Sequence, residues 1–273
     1  MRDELRKLYW ISSTQFGIDP RRFLRSLRGV LPYLAELRHF RRGYRGTLNL
    51  MPCLHDRFEE GGATSSEYFW QDLIVARWIC NANPRRHVDI GSRVDGFVAH
   101  VASFRDLEVL DVRPISACIP GVQFRQADLM SAESIESLAP GGIGYCDSLS
   151  CLHVLEHFGL GRYGDPIDPD GFRRGLENLA RLLQPGGVLY LSTPVGRERV
   201  EFNANRVFDP TALVRAAEGS GLRLDKLASC TGQSGVTEVG AETFERAMSE
   251  WGRDQYRLAI MQFTKSDAVG ERH

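Results

Sequence analysis

The stretch HVDIGSRVDG, residues 87–96, decides the fold. A short, mostly apolar run leads into Gly91, and a helical segment follows, so the stretch predicts a strand, a glycine turn and a helix. Four further strand-like runs follow: LEVLDVR at 107–113, VQFRQAD at 122–128, GYCDSLSCL at 144–152 and VLYLSTPV at 188–195. Helical segments separate these runs. Such alternation predicts an α/β domain in which helices cover both faces of a parallel sheet.

The chain divides into three predicted regions. Residues 1–62 form a basic helical extension, residues 63–266 form the main domain, and residues 267–273 form a flexible tail. Near the end of the main domain, LRLDKLASC at 222–230 and YRLAIMQFTK at 256–265 read as two last strands. We expect these two strands to pair antiparallel at the sheet edge.

The N-terminal extension contains a basic amphipathic segment, RRFLRSLRGVLPYLAELRHFRRGYR, at residues 21–45. Apolar residues recur at helical spacing, arginines occupy many of the other positions, and Pro32 is expected to kink or divide the helix. Two interpretations stay open. The leucines pack on the main domain, or the segment from Arg21 to Arg45 attaches to an anionic membrane surface or partner.

Composition excludes some classes of function. The 34 basic and 35 acidic residues give a net charge of −1, which argues against a general nucleic-acid binder. No apolar run approaches the roughly 18 to 20 residues of a membrane span, and we find no signal peptide. The six cysteines form no CxxC pair. A cytoplasmic protein is expected, with its oligomeric state left open.

Acidic residues close the second and third predicted strands. In doubly wound sheets ligands bind beyond the carboxyl ends of the strands, where the turn after Asp89 and Gly91 would also lie. Asp111 stands about twenty residues after this turn, where an acid typically accepts the hydroxyls of an adenosine ribose. Asp128 is placed to accept the adenine amine, and Leu129 to pack on the ring. The three features together indicate an adenosine site.

A family resemblance rests on CDSLSCLHVLEH at 146–157 and LQPGG at 183–187. With the strand-end acids, these motifs resemble the class I S-adenosylmethionine-dependent methyltransferases. More narrowly, the region from Tyr68 to Pro210 resembles a bacterial family of unknown function that is methyltransferase-like and linked to polysaccharide biosynthesis. The resemblance implies a Rossmann-like, mostly parallel seven-stranded sheet with an antiparallel last strand, and S-adenosylmethionine as cofactor. The predicted cofactor-binding residues are Asp89, Gly91, Ser92, Arg93, Asp111, Asp128, Leu129 and Ser150.

The glycine turn departs from the family pattern. Arg93 and Asp95 stand where such methyltransferases usually have their second and third glycines. Arg93 would either pair with the carboxylate of the cofactor's methionine or fill the pocket.

The segment after the fourth strand holds the candidate catalytic residues. His153, Glu156 and His157 match the HxxEH motif of inverted zinc peptidases, but the methyltransferase resemblance accounts for the motif better. We predict that His157 or His153 takes a proton from an acceptor hydroxyl, with Asp165 as a third catalytic candidate. The alternative is that the histidines only pack under the following loop.

That loop, FGLGRYGDPIDPDG at 158–171, is long enough to shape a substrate site. Its aspartates at 165, 168 and 170 are spaced so that a divalent metal is conceivable, although turn capping is the commoner reason for them and no metal is predicted. The predicted substrate-binding residues are Arg162, Tyr163, Asn203, Asn205 and Arg206.

The function expected from the sequence is methyl transfer from S-adenosylmethionine to an oxygen of a sugar or glycan precursor. The altered glycine turn supports an alternative: a non-catalytic Rossmann-like module that acts as a partner in a membrane-associated glycan assembly.

Overall fold

The computed structural model describes residues 2–62, 64–140, 144–230 and 235–266, so the predicted tail at 267–273 lies outside the described residues. The chain divides into two compact units, Met1–Ala63 and Thr64–His273. No helix within the described residues is both long and apolar enough to span a bilayer.

In the first unit, α1 (Arg2–Trp10) is followed by α2 (Pro20–Gly43). Asp19 caps α2 by accepting hydrogen bonds from the backbone amides of Arg21 and Arg22. Pro32 lies inside α2, which is not divided there, so the expected division is wrong. The large apolar residues that face solvent on α2 are Phe23, Leu24, Leu27, Leu31, Leu34 and Phe40.

The second unit alternates helices and strands, as predicted. Its helices are α3 (Glu67–Ala82), α4 (Ala99–Ala102), α5 (Ala132–Leu138), α6 (Gly171–Leu182), α7 (Pro210–Gly219) and α8 (Phe244–Trp251). Its strands are β1 (His87–Ile90), β2 (Leu107–Asp111), β3 (Val122–Gln126), β4 (Cys146–Leu152), β5 (Leu183–Val195), β6 (Arg199–Glu201), β7 (Asn205–Val207), β8 (Leu222–Cys230), β9 (Val236–Val239) and β10 (Arg257–Lys265).

The central sheet has the strand order β3-β2-β1-β4-β5-β10-β8-β9. Neighbouring strands pair parallel in the part of the sheet made of β3, β2, β1, β4 and β5. Strand β10 pairs antiparallel with both β5 and β8. The expected Rossmann-like fold with an antiparallel strand is thus confirmed. The turn after β1 and the ends of β2 and β3 lie at one edge, because parallel strands bring their carboxyl ends together.

The predicted antiparallel pairing of the last two strands is confirmed, because β10 pairs antiparallel with β8 at this end of the sheet. The predicted number of seven strands is wrong. Strand β9 pairs with β8, occupies the edge and makes this an eight-stranded sheet. The strands β6 and β7 form a separate two-stranded sheet.

Apolar layers cover both faces of the main sheet. One layer includes Ile135, Leu176 and Leu213, which belong to α5, α6 and α7. The other includes Val75 and Val101, from α3 and α4. Burial on both faces is why β1 reads as a continuous buried run rather than an alternating one.

Candidate active site

A cleft opens at the carboxyl ends of β1, β2, β3 and β4. Residues 90–91, 110–113, 127–130, 153–154, 157–158, 163 and 165 line it. The space between its lining atoms, open solvent included, is about 510 Å³. The cleft therefore lies where the strand-end acids predicted a ligand.

The turn after β1 depends on Gly91. Its φ of +64° lies in the left-handed region, and its N–H donates to the Leu110 carbonyl at 2.8 Å. A Cβ at this position would come within 3.1 Å of the Val154 side chain. Glycine thus keeps the backbone close to β2 and to the segment after β4, at the wall of the cleft.

Asp89, Ser92 and Ser150 lie beneath this turn and are not among the cleft-lining residues. The backbone N–H and the hydroxyl of Ser92 donate to Asp89 at 3.0 and 2.7 Å, and the Ser150 hydroxyl donates at 2.5 Å. Burial raises the pKa of Asp89 to about 6, against the lowering effect of these hydrogen bonds. These three buried residues hold the turn in place from the protein interior.

Arg93 does not line the cleft either. Its guanidinium donates to both carboxylate oxygens of Asp95, at 3.2 and 2.8 Å, and lies over the Tyr68 ring. Of the two roles expected for Arg93, filling the pocket is wrong. Its two hydrogen bonds to Asp95 leave further N–H donors, so pairing with a methionine carboxylate stays a prediction.

Asp111 closes β2 and lines the cleft, but its carboxylate is occupied. Arg113 donates from its backbone N at 2.8 Å, from Nε at 3.0 Å and from Nη2 at 2.7 Å. The same guanidinium lies 4.4 Å from the ring centre of Tyr163. Arg113 and Tyr163 therefore bridge the cleft from β2 to the loop after β4.

Asp128 follows β3, and one of its carboxylate oxygens accepts the Met130 N–H at 2.9 Å. Its other oxygen makes no hydrogen bond within the described part of the chain. Leu129 beside it is buried and faces the cleft, as do Ile90 and Leu110. An acceptor oxygen next to apolar side chains suits an aromatic ring with an amino group, such as adenine.

His157 lines the cleft in a form suited to accept a proton. Its Nδ1 lies 2.8 Å from the Ala204 carbonyl, which can only accept, so Nδ1 carries the hydrogen and Nε2 is the basic nitrogen. Burial lowers the pKa of His157, and the charges of Arg162 and His153 lower it further, against the opposing influence of Glu156. The ring is therefore neutral at pH 7.

His153 is held differently, with a left-handed φ of +57°. Its Nδ1 lies 2.8 Å from Glu156 Oε1, and its Nε2 lies 3.4 Å from Glu67 Oε1 at an angle that makes no hydrogen bond. Burial by itself would lower the pKa of His153, but the two carboxylates outweigh it and raise the pKa to about 9. His153 is thus a buried cation at pH 7 and is poorly suited to be a base.

The HxxEH letters do not form the helical site of a zinc peptidase. A short 3₁₀ turn, Leu155–His157, follows His153, and Glu156 pairs with His153. Within the described residues, side chains grouped closely enough to hold a metal occur at His55, Asp56 and Glu59.

Two of the three loop aspartates are engaged by their own loop. The Asp165 carboxylate accepts the amides of Gly159, Gly161 and Tyr163. Asp168 accepts the Asp170 amide and pairs with an α6 arginine. These contacts are the turn capping noted as the commoner reason for such residues, and they leave Asp165 a loop-shaping residue at the cleft wall.

The predicted substrate residues fall into two groups. Two of them, Arg162 and Tyr163, lie beside His157, and the other three do not line the cleft. Tyr163 lies at the cleft mouth and packs edge-on against His157 at 5.7 Å, and the exposed Arg162 donates to the Ala204 carbonyl. Arg206 is buried and binds backbone carbonyls of Glu156, Phe158, Asp168 and Pro169.

Both terminal nitrogens of Arg206 bind these carbonyls and the residue does not line the cleft, so its role in substrate binding stays a prediction. Asn205 donates its amide to the Arg206 carbonyl, and Asn203 is exposed. Neither asparagine lines the cleft.

Sequence reasoning missed two participants. Arg113 follows the strand-end acid by two residues, and that spacing was its only signal. Glu67, at the start of α3, comes beside His153 through tertiary packing and had no signal in the local pattern.

Comparison with known proteins gives limited matches in sequence. Residues 141–234, well under half of the chain, match a family model described as "Caenorhabditis protein of unknown function, DUF268". Among curated proteins, none matches this sequence.

Solved structures resemble the second unit's architecture more broadly. The N-methyltransferase NodS from Bradyrhizobium japonicum WM9, in complex with S-adenosylhomocysteine, is 16% identical at a TM-score of 0.49, over 72% of this chain and 86% of that one. The 1,6-didemethyltoxoflavin-N1-methyltransferase of Burkholderia thailandensis is 12% identical at 0.45, over 73% and 80%. The [4+2]-cyclase SpnF is 16% identical at 0.45, over 66% and 75%. Similarity at this level does not transfer an activity, and one of the three proteins is a cyclase.

Proposed function

We propose that this protein is an S-adenosylmethionine-dependent methyltransferase that O-methylates a saccharide or another small hydroxylated acceptor. The observation that carries the proposal is one cleft shared by the Gly91 turn, Asp111 and Asp128. Asp111 would accept the ribose hydroxyls and Asp128 the adenine amine, and apolar side chains line the same cleft. These acceptors suit an adenosine, provided that Arg113 moves from Asp111.

The bound cofactor would supply an activated methyl group for direct displacement. The chain's own contribution is alignment of the acceptor and removal of its proton. His157 Nε2 takes the acceptor hydroxyl's proton, while the Nδ1 hydrogen bond to Ala204 fixes the ring. Glu156 Oε1 lies 3.9 Å from Nε2 and would stabilise the charged ring after proton transfer.

Cofactor binding is the first test. We expect S-adenosylhomocysteine to give a saturable titration by calorimetry and to raise the unfolding temperature. At 100 times its Kd, the ligand would stabilise the protein by about 2.7 kcal/mol. Absence of heat and of any thermal shift would instead favour the non-catalytic module.

The acceptor class needs a separate test. Radiolabelled S-adenosylmethionine would be incubated with nucleotide sugars, glycan extracts and amine acceptors, with His157→Gln as the control enzyme. Label in the saccharide fraction that His157→Gln does not produce would support O-methylation. Label confined to amine acceptors would replace it with N-methylation.

We further propose that the protein works in the cytoplasm, peripheral to the inner face of the membrane, through the region Arg21 to Arg45. The support comes from α2, where Leu27 and Leu31 are 53% and 77% exposed beside several arginines. Exposed apolar groups flanked by basic residues suit an anionic lipid surface, where each basic residue adds about 1 kcal/mol.

Vesicle flotation tests this location. We expect the full chain to float with phosphatidylglycerol vesicles and not with phosphatidylcholine vesicles. Leu27→Glu combined with Leu31→Glu should reduce binding about tenfold or more, because burying one leucine is worth about 1.5 to 3 kcal/mol. Phe104→Glu, an exposed apolar position of the second unit, is the control. Equal flotation of all three proteins would refute the membrane contact, and so would a wild-type protein that does not float.

A further inference from the structure

Arg113 occupies the carboxylate that a ribose would need. Asp111 already accepts three hydrogen bonds from residue 113, and a carboxylate offers about four acceptor positions. The two hydroxyls of a ribose bring two more donors. Five donors exceed the capacity of Asp111, so a ribose can bind there only if Arg113 gives up part of its pairing.

The arginine is the partner that can move. Its side chain is 49% exposed, whereas that of Asp111 is 8% exposed. Water can solvate the guanidinium when it leaves, but the buried carboxylate stays at the end of β2. The guanidinium also contacts the Tyr163 ring, whose edge meets His157. Displacement of Arg113 therefore removes a contact with the loop that directly follows the candidate base.

We propose that Arg113 is an internal competitor for the ribose position, which sets ligand affinity and couples ribose binding to the loop at 158–170. The inference rests on the proposed cofactor binding at Asp111. Arg113 would thereby help to select the ligand, because a ligand without the diol cannot replace the hydrogen bonds that Arg113 donates to Asp111.

The test compares S-adenosylhomocysteine binding by wild type, Arg113→Gln and Arg223→Gln. Arg223 also pairs with an aspartate two residues away, with Nε to Asp225 Oδ1 at 3.0 Å, but on β8 and outside the cleft. We expect Arg113→Gln to bind the ligand about two- to fivefold more tightly, as the strength of a half-exposed ion pair allows. Arg223→Gln should bind it like wild type.

A second ligand separates competition from a change in folding. The 2′,3′-dideoxy analogue of S-adenosylhomocysteine has no diol, so Arg113→Gln should improve its binding much less. Added salt screens the half-exposed pair and should tighten ligand binding to wild type more than to Arg113→Gln. Arg113→Lys keeps the charge without the bidentate fork and should fall between the two proteins.

Each outcome decides the matter. Weaker ligand binding by Arg113→Gln would show that the arginine contacts the ligand, and unchanged binding would show that it does not compete. Either result overturns the inference and leaves the proposed function intact. Failure of every protein to bind the ligand would overturn both.

Discussion

Replacing Asp111 with asparagine is expected to weaken S-adenosylhomocysteine binding about 10- to 100-fold. The carboxylate would accept both ribose hydroxyls in charge-assisted hydrogen bonds, each worth about 1.5 to 3 kcal/mol. An asparagine offers one acceptor oxygen and presents an N–H₂ group to the second hydroxyl. Partial relief of the competing Arg113 keeps the expected loss below the sum of two such bonds. Isothermal titration measures the change.

The matched control is Asp225→Asn, which also removes an aspartate that pairs with an arginine two residues away but does not line the cleft. Its ligand affinity should equal that of wild type. The dideoxy analogue should bind wild type and Asp111→Asn with similar affinity, because it lacks the hydroxyls in question. Equal weakening for both ligands would mean that Asp111 does not bind the ribose, and the adenosine assignment would fail.

The sequence predicted the cleft because its evidence was local. Asp111 and Asp128 lie at or just after the ends of strands that short local runs predicted, and parallel strands bring their carboxyl ends to one edge regardless of details elsewhere. The role of Gly91 could be predicted in the same way, since a left-handed turn after a strand favours glycine. These features depend on only a few neighbouring residues.

What the sequence did not predict depends on distant contacts. Arg206 has a side chain typical of ligand-binding residues, yet it binds backbone carbonyls 37 to 50 positions away, such as that of Phe158. Local pattern predicted β10 and its pairing with β8, but it gave no signal for the short strand β9, whose place at the sheet edge was missed. Asp89 was assigned to the ligand although the strand places it in the protein interior.

Replacing Glu156 with glutamine is expected to lower the free energy of unfolding by about 2 to 3 kcal/mol at pH 7. Glu156 is fully buried, and its Oε1 lies 2.8 Å from Nδ1 of the protonated His153. Thr193 donates to its other oxygen at 3.2 Å. The size of the effect follows from the pKa of His153, which is raised from 6.5 to about 9, at about 1.4 kcal/mol per unit.

The stabilising contribution of the ion pair between His153 and Glu156 should fall as the pH rises. The pKa of His153 is higher in the folded than in the unfolded state, so its contribution is fully present below about pH 6.5 and is lost as the pH rises through about 9. The difference in stability between wild type and Glu156→Gln should therefore be largest near pH 6.5 and shrink toward pH 9.5. Denaturant unfolding at several pH values measures it.

Glu108→Gln provides the matched control. Glu108 is also buried, but its basic partner is Arg86, which stays charged across this range, with Nη2 2.7 Å from Oε2. Its effect on stability should therefore be nearly constant from pH 6.5 to 9.5. NMR titration should show the His153 pKa falling from about 9 in Glu156→Gln, since only Glu67 would then oppose the lowering effect of burial. A constant stability difference for Glu156→Gln, or a wild-type His153 that titrates near pH 6.5, would show that no buried ion pair holds the segment between β4 and the candidate base.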